Sequence, residues 1–148
     1  MTPDKNDLIR KIRQLESKID SEKKELKELN LQYSDLEEFL TKIRQKELAF
    51  QESIKRRRKK LQGIDALLTY VKSAVAYKDE MNDLLYGSEY QNTAQGIGSL
   101  ISTVGTQKST VAKAIISREE ELKRLKQKLK QMKEELSALQ TEESENGD

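Results

Sequence analysis

From Leu8 the chain can be stepped alternately by four and three residues, landing almost wholly on apolar side chains: Leu8, Ile12, Leu15, Ile19, Glu22, Leu26, Leu29, Tyr33, Leu36, Leu40 and Ile43. The register continues through Glu47, Phe50, Ile54, Arg57, Leu61, Ile64, Leu68, Val71, Val75, Lys78, Asn82 and Leu85. A 3.5-residue repeat held for about eleven heptads marks a helix with one continuous apolar seam, the pattern of left-handed coiled coils. No proline and only Gly63 interrupts it, so the helix breakers permit a single helix over about residues 6–86. The repeat resumes at Ile101 and Val104 and runs on through Lys108, Val111, Ile115, Arg118, Leu122, Leu125, Leu129, Met132, Leu136 and Leu139. That predicts a second helix over about residues 99–140.

Between the two repeats lies DLLYGSEYQNTAQGIGSL, which gathers Gly87, Gly96 and Gly98 with Tyr86 and Tyr90. Glycine is the residue that can take positive φ at a helix C-terminus. The stretch from about 87 to 98 therefore reads as the turn of a hairpin, with Tyr86 and Tyr90 pinning it and available to a partner. Helices joined by a short turn pack antiparallel. The expected fold is all-α: a single domain forming a long antiparallel helical hairpin of coiled-coil type. The last residues, TEESENGD at 141–148, hold no apolar side chain and read as a disordered acidic tail.

A turn centred near residue 92 has a consequence. The second helix would cover the first only back to about residue 44, leaving residues 8–43 as an N-terminal overhang with an unburied seam. Leaving large apolar side chains wet is unfavourable by roughly 1.5–3 kcal/mol each. Either the chain bends near residues 44–50, or the overhang binds another protein. The unbroken register through Glu47 and Phe50 favours the second, which makes Leu36, Phe39, Leu40 and Ile43 candidate partner-binding residues. Phe39, Leu67, Ala74 and Met81 each precede a seam residue and widen the stripe toward that of a bundle helix. That width suits a homodimeric four-helix bundle as well as it suits a different helical partner.

Composition narrows the function classes. Of 148 residues, 34% are hydrophobic and 5% aromatic, with no Trp, which argues against a thick globular core. The charged fraction is 36%, yet 28 bases nearly balance 26 acids, so net charge gives no pull toward nucleic acid or acidic lipid. The absence of Cys and His removes thiolate chemistry, imidazole bases and the best transition-metal ligands. The carboxylates follow solvent-face spacing, as in REEELKRLKQKLKQMKEEL, where Glu and Lys pair along a helix. TAQGIGSL has neither the lysine of a phosphate loop nor the third glycine of a dinucleotide site. The sequence points away from an enzyme and implies no cofactor, metal or catalytic residue.

Two further segments are informative. KRRRKK at 55–60 is six consecutive bases; on a helix these go round every face, and stacking aromatics are not evident, so it reads as solvated or facing an acidic partner. Between Glu89 and Arg118 the only charges are Lys108 and Lys113. Such a small, weakly charged surface suits close packing inside a hairpin or burial against another chain. No run approaches the roughly 20 apolar residues of a membrane span, and MTPDKNDLIRKIRQL has no signal-peptide core. The expected location is cytoplasmic, or outside the cell by a route that reads no cleavable leader.

Two helices joined by an aromatic–glycine turn, without a leader, resemble the small WXG-type proteins of type VII secretion. The chain is more similar still to the helical partner proteins encoded beside LXG toxins in Firmicutes. At the turn it has Leu85-Tyr86-Gly87 where the family pattern has Trp-x-Gly. The resemblance implies a partner that binds the helical N-terminal domain of an LXG toxin and helps target it for export, with a second small helical protein as a further partner. The family's export signal, an aromatic followed four residues later by an acid, is matched by Tyr33 and Glu37, which one helical turn would place on the same side. The competing class is a structural coiled coil that only self-associates, and a third, resting on KRRRKK, is a basic nucleic-acid-associated helix.

Overall fold

The computed structural model describes residues 4–67 and 72–147, without the side chains of Ala66 and Leu67. It is an all-α helical hairpin, with no strand among the described residues: α1 (Lys5–Gln62), a 3-10 turn (Gly63–Leu67), α2 (Lys72–Tyr86) and α3 (Ser88–Asn146). Two compact units are built on these helices. One is central, Asp35–Lys108; the other is terminal, Met1–Ser34 with Ser109–Asp148.

α1 contains neither Gly nor Pro over 58 residues, and it forms one helix through residues 44–50 with no break there. Asp4 caps it. Its carboxylate accepts from the Asn6 backbone N–H at 3.3 Å, one of the donors that the first turn leaves free, and its carbonyl accepts the first helical bond, from the Leu8 N–H at 3.0 Å. In that turn, hydrogen bonds from Lys11 and then Arg10 hold the Asp7 carboxyl below its usual range. This favourable contribution is present at neutral pH and is lost as pH falls through the lowered pKa. The helix ends with Lys59 and Lys60 in its last turn, cations that suit the negative end of the macrodipole, and Gly63 follows directly.

In the central unit the residues paired across the hairpin run in antiparallel order, one number falling as the other rises. Asp65 pairs with Lys78, Arg58 bonds to Leu85, Gln51 to Tyr90, and Glu37 pairs with Lys108. The chain therefore reverses between Gln62 and Lys72, not at residues 87–98. This corrects the expected helix boundaries. Gly96, Gly98 and Gly105 lie inside α3, and the acidic end is helical as far as Asn146 rather than a loose tail. Glycine costs roughly 1 kcal/mol in a helix interior relative to Ala. Here the seam residues Ile97, Ile101 and Val104, packed with Leu36, Leu40 and Ile43, outweigh that local preference. The expected continuation of the first helix through Leu68 and Val71 lies outside the described residues.

Moving the reversal removes the overhang. Leu8, Ile12, Leu15 and Ile19 are buried, and in the terminal unit Leu15 and Ile19 form one cluster with Leu125, packed by Leu122, Leu129 and Met132. Two of the charges that interrupt the seam, Glu22 and Arg118, meet each other. Arg118 places one guanidinium nitrogen 2.8 Å from Glu22 and 2.7 Å from Glu25, while the second oxygen of Glu22 is buried without a hydrogen-bond partner. Lys5–Glu143 at 2.8 Å and Glu16–Lys133 at 3.4 Å continue the antiparallel register. Removing Arg118 would leave the Glu22 carboxylate, its side chain only 17% exposed, without its cation. Arg118→Leu is expected to lower stability by about 1–3 kcal/mol. The double variant Glu22→Leu/Arg118→Leu should recover most of that loss in chemical denaturation, and a double variant as unstable as the single one would show that the pair sets nothing.

Candidate partner-binding surface

The sequence-predicted residues separate into two groups. Leu40 and Ile43 are buried in the central unit with Val104, and Leu36 packs against them. α3 of the same chain covers them, so their assignment to a partner gives way to an internal role. The reason is the position of the reversal: with α3 beginning at Ser88, there is enough helix to cover this part of α1. Phe39, by contrast, is 47% exposed and remains available. Tyr33 is half-buried in α1 of the terminal unit. Glu37 is exposed in the central unit, with Lys108 Nζ 3.8 Å from its carboxylate.

Tyr86, Tyr90, Leu85 and Gly87 do meet, though at a helix junction rather than at a hairpin turn. Leu85 is 2% exposed, in a cluster with Ile54 and Leu61 that is packed by Phe50, Ile64, Met81 and Tyr90. Tyr90 stacks on Phe50 with ring centroids 5.9 Å apart and an interplanar angle of 15°. Its hydroxyl lies 3.2 Å from Gln51 Oε1 and donates to it. Gly87 does not adopt the positive φ expected of it. Its N–H donates to the Asp83 carbonyl at 2.9 Å, and a Cβ built on it would sit 2.2 Å from that same oxygen. The requirement for glycine is therefore close backbone approach. Gly87→Ala is expected to displace the Asp83 carbonyl and weaken the α2–α3 junction by about 1–2 kcal/mol, read as faster amide exchange near residue 87; unchanged exchange there would contradict the close approach.

Arg58 organises this junction. Its guanidinium donates from Nε at 3.2 Å and from Nη2 at 2.7 Å to the Leu85 carbonyl, an acceptor in the last turn of α2, where helix carbonyls need partners from outside the helix. The same group lies 4.1 Å from the centroid of the Tyr86 ring and 4.4 Å from that of Tyr90, within the range of cation–π attraction. Sequence reasoning missed Arg58 because the repeat placed Arg57 in the seam. The available signal was a base four residues after Ile54 and three before Leu61. No protein-family model, curated protein or solved structure matches this chain.

The remaining surface is what the chain can offer to others. In the central unit, residues 90–107 of α3 carry no charge. One face supplies Ile97, Ile101 and Val104 to the core, whereas Gly96, Gly98, Ser99 and Leu100 are exposed. A Cβ added at Gly96 or Gly98 would meet nothing within 4 Å, so these glycines do not serve close packing within the hairpin. Phe39 and Leu48 of α1 are exposed in the same unit. Among the described residues no group of three His, Cys, Asp or Glu side chains could hold a metal. No described helix is long and apolar enough to cross a membrane.

Proposed function

We propose that this chain is a non-enzymatic helical partner protein that binds the helical N-terminal domain of an LXG toxin and helps target it for export by type VII secretion. The reading is supported by the uncharged, exposed side of α3 within residues 90–107, in a chain where 36% of residues are charged. Ile97, Ile101 and Val104 from this stretch pack inside the central unit, which leaves its exposed side open to a partner. Small, uncharged side chains with a large apolar residue such as Leu100 suit contact with another helical surface. The toxin as partner comes from the resemblance in the sequence. The overhang that first suggested a partner no longer supports it.

Co-expression with the N-terminal domain of an LXG protein encoded beside this gene tests the reading. A single complex in size-exclusion chromatography is expected, weakened at least tenfold by Gly98→Arg or Leu100→Arg. Two separate species, or no such neighbouring gene, overturns it. A symmetric dimer of this chain alone, abolished by the same variants, would favour the self-associating coiled coil. If Tyr33 and Glu37 form the export signal, Glu37→Gln keeps the complex and shifts stability by no more than about 0.5 kcal/mol, because its carboxylate is exposed and lies 3.8 Å from Lys108 Nζ. Toxin outside the cell should nevertheless fall sharply; normal secretion at equal intracellular levels would return Glu37 to a surface role.

A further inference from the structure

Beside the Arg58 junction, within the central unit, the helices on either side of the reversal enclose a groove of about 280 Å3. Leu61 and Ile64 line it from the end of α1 and the 3-10 turn, and Met81, Leu84 and Leu85 line it from α2. Tyr77 of α2 also lines it, and both Leu84 and Tyr77 are exposed although large and mostly apolar. The charged part of the lining is cationic: Arg57 and Lys60, both exposed, with no acidic residue among the lining groups. Among the described residues neither cation has a carboxylate partner. Their spacing of three puts them on neighbouring positions of one helix face.

Each feature constrains the occupant. The volume lies just under the roughly 300–1,000 Å3 of pockets that enclose small ligands, so it suits one or two inserted side chains better than a whole molecule. An apolar floor calls for an aliphatic or aromatic anchor. Two unpaired cations on one helix face call for carboxylates held at matching spacing, which a helix provides. We infer that this groove docks an acidic amphipathic helix of a partner protein, one apolar side chain seated among Leu61, Ile64 and Met81 and carboxylates one turn away meeting Arg57 and Lys60. This is helix-in-groove recognition with charge-selected polarity. It rests on the proposed function only in taking the partner to be helical, and it adds a second contact apart from the uncharged side of α3.

The test uses the full chain and a labelled helical peptide with Leu anchors flanked by Glu at spacings of three and four, read by fluorescence anisotropy. A matched peptide with Lys in place of Glu is the control. The acidic peptide should bind, with affinity falling as salt screens the exposed charges, and the Lys peptide should bind at least tenfold more weakly. Arg57→Glu/Lys60→Glu should reverse that preference, and Met81→Glu should abolish binding of the acidic peptide. The charge-reversed chain is the decisive variant, because both of its sites are exposed and its helicity should be unchanged. Equal binding of the two peptides, no reversal by the charge swap, or an equal loss on Leu48→Glu, which lies outside the lining, overturns the inference. So does a self-dimer abolished by the charge swap, since a second copy would then occupy the groove. Co-purification with the toxin domain is a separate readout. Its failure beside a positive peptide series removes the assigned partner and keeps the groove; its success beside a flat peptide series does the reverse.

Discussion

Leu40→Asp is expected to unfold the central unit, while Phe39→Asp, one residue earlier, leaves it folded. Leu40 is 7% exposed and belongs to the cluster with Ile43 and Val104. Truncating a buried leucine to alanine already costs roughly 2–5 kcal/mol, and a carboxylate in its place adds desolvation without a partner. A total of about 4 kcal/mol or more follows, comparable with much of a small protein's net stability. In a chain of this length that corresponds to a fall in midpoint of about 10 °C or more. Phe39 is 47% exposed, so its replacement should cost about 1 kcal/mol or less and appear mainly as weakened partner binding. Circular dichroism melts of the two variants beside the unmodified protein decide the matter. A Leu40→Asp melt within a few degrees of the original would mean that α3 does not cover this part of α1.

That contrast also marks how far the sequence could be read. The apolar repeat identified the inward residues well: Leu8, Ile12, Leu15, Ile19, Leu40, Ile43, Ile54, Leu61, Leu85, Val104 and Leu125 all fall on it and are all buried. It could not locate the reversal, because Ile64 and Leu85 preserve the heptad phase across the 3-10 turn and a change of direction leaves no gap in the pattern. The glycine cluster was the louder signal and the misleading one. Gly63 alone, preceded by Lys59 and Lys60, carried the ordinary mark of a helix end, cations in the last turn and glycine just beyond. Gly96 and Gly98 instead sit on the open side of α3, where omitting a side chain changes the surface and not the chain direction. Placing the turn about 20 residues too late then generated the overhang, and with it a partner role for Leu40 and Ile43.

The candidate site was legible to a different depth. Tyr86, Tyr90 and Gly87 stood out by composition and do converge, both rings meeting one guanidinium. What they converge on was hidden. In a run of six consecutive bases nothing local distinguishes the one that will be used, because the choice depends on which position faces a carbonyl and two rings from another helix. Only the tertiary register supplies that.

Arg58 consequently offers the sharpest separation within KRRRKK. Arg58→Ala removes two hydrogen bonds to the Leu85 carbonyl and the stacking on Tyr86 and Tyr90. Hydrogen bonds involving a charged group contribute roughly 1.5–3 kcal/mol, and cation–π contacts roughly 0.5–2 kcal/mol according to exposure. With part of this recovered by water at the exposed Tyr86, a loss of about 3 kcal/mol is expected. Arg57→Ala should stay within about 0.5 kcal/mol, as for an exposed side chain, although in the proposed groove it weakens binding of the acidic peptide. Arg58→Lys should fall between, since an ammonium keeps the charge over the rings and loses the planar fork that holds two bonds to one oxygen. Chemical denaturation of the three variants gives the order directly. If Arg57→Ala and Arg58→Ala unfold at the same denaturant concentration, the run is uniformly solvated and the α2–α3 junction is held by Leu85 and the Phe50–Tyr90 stack alone.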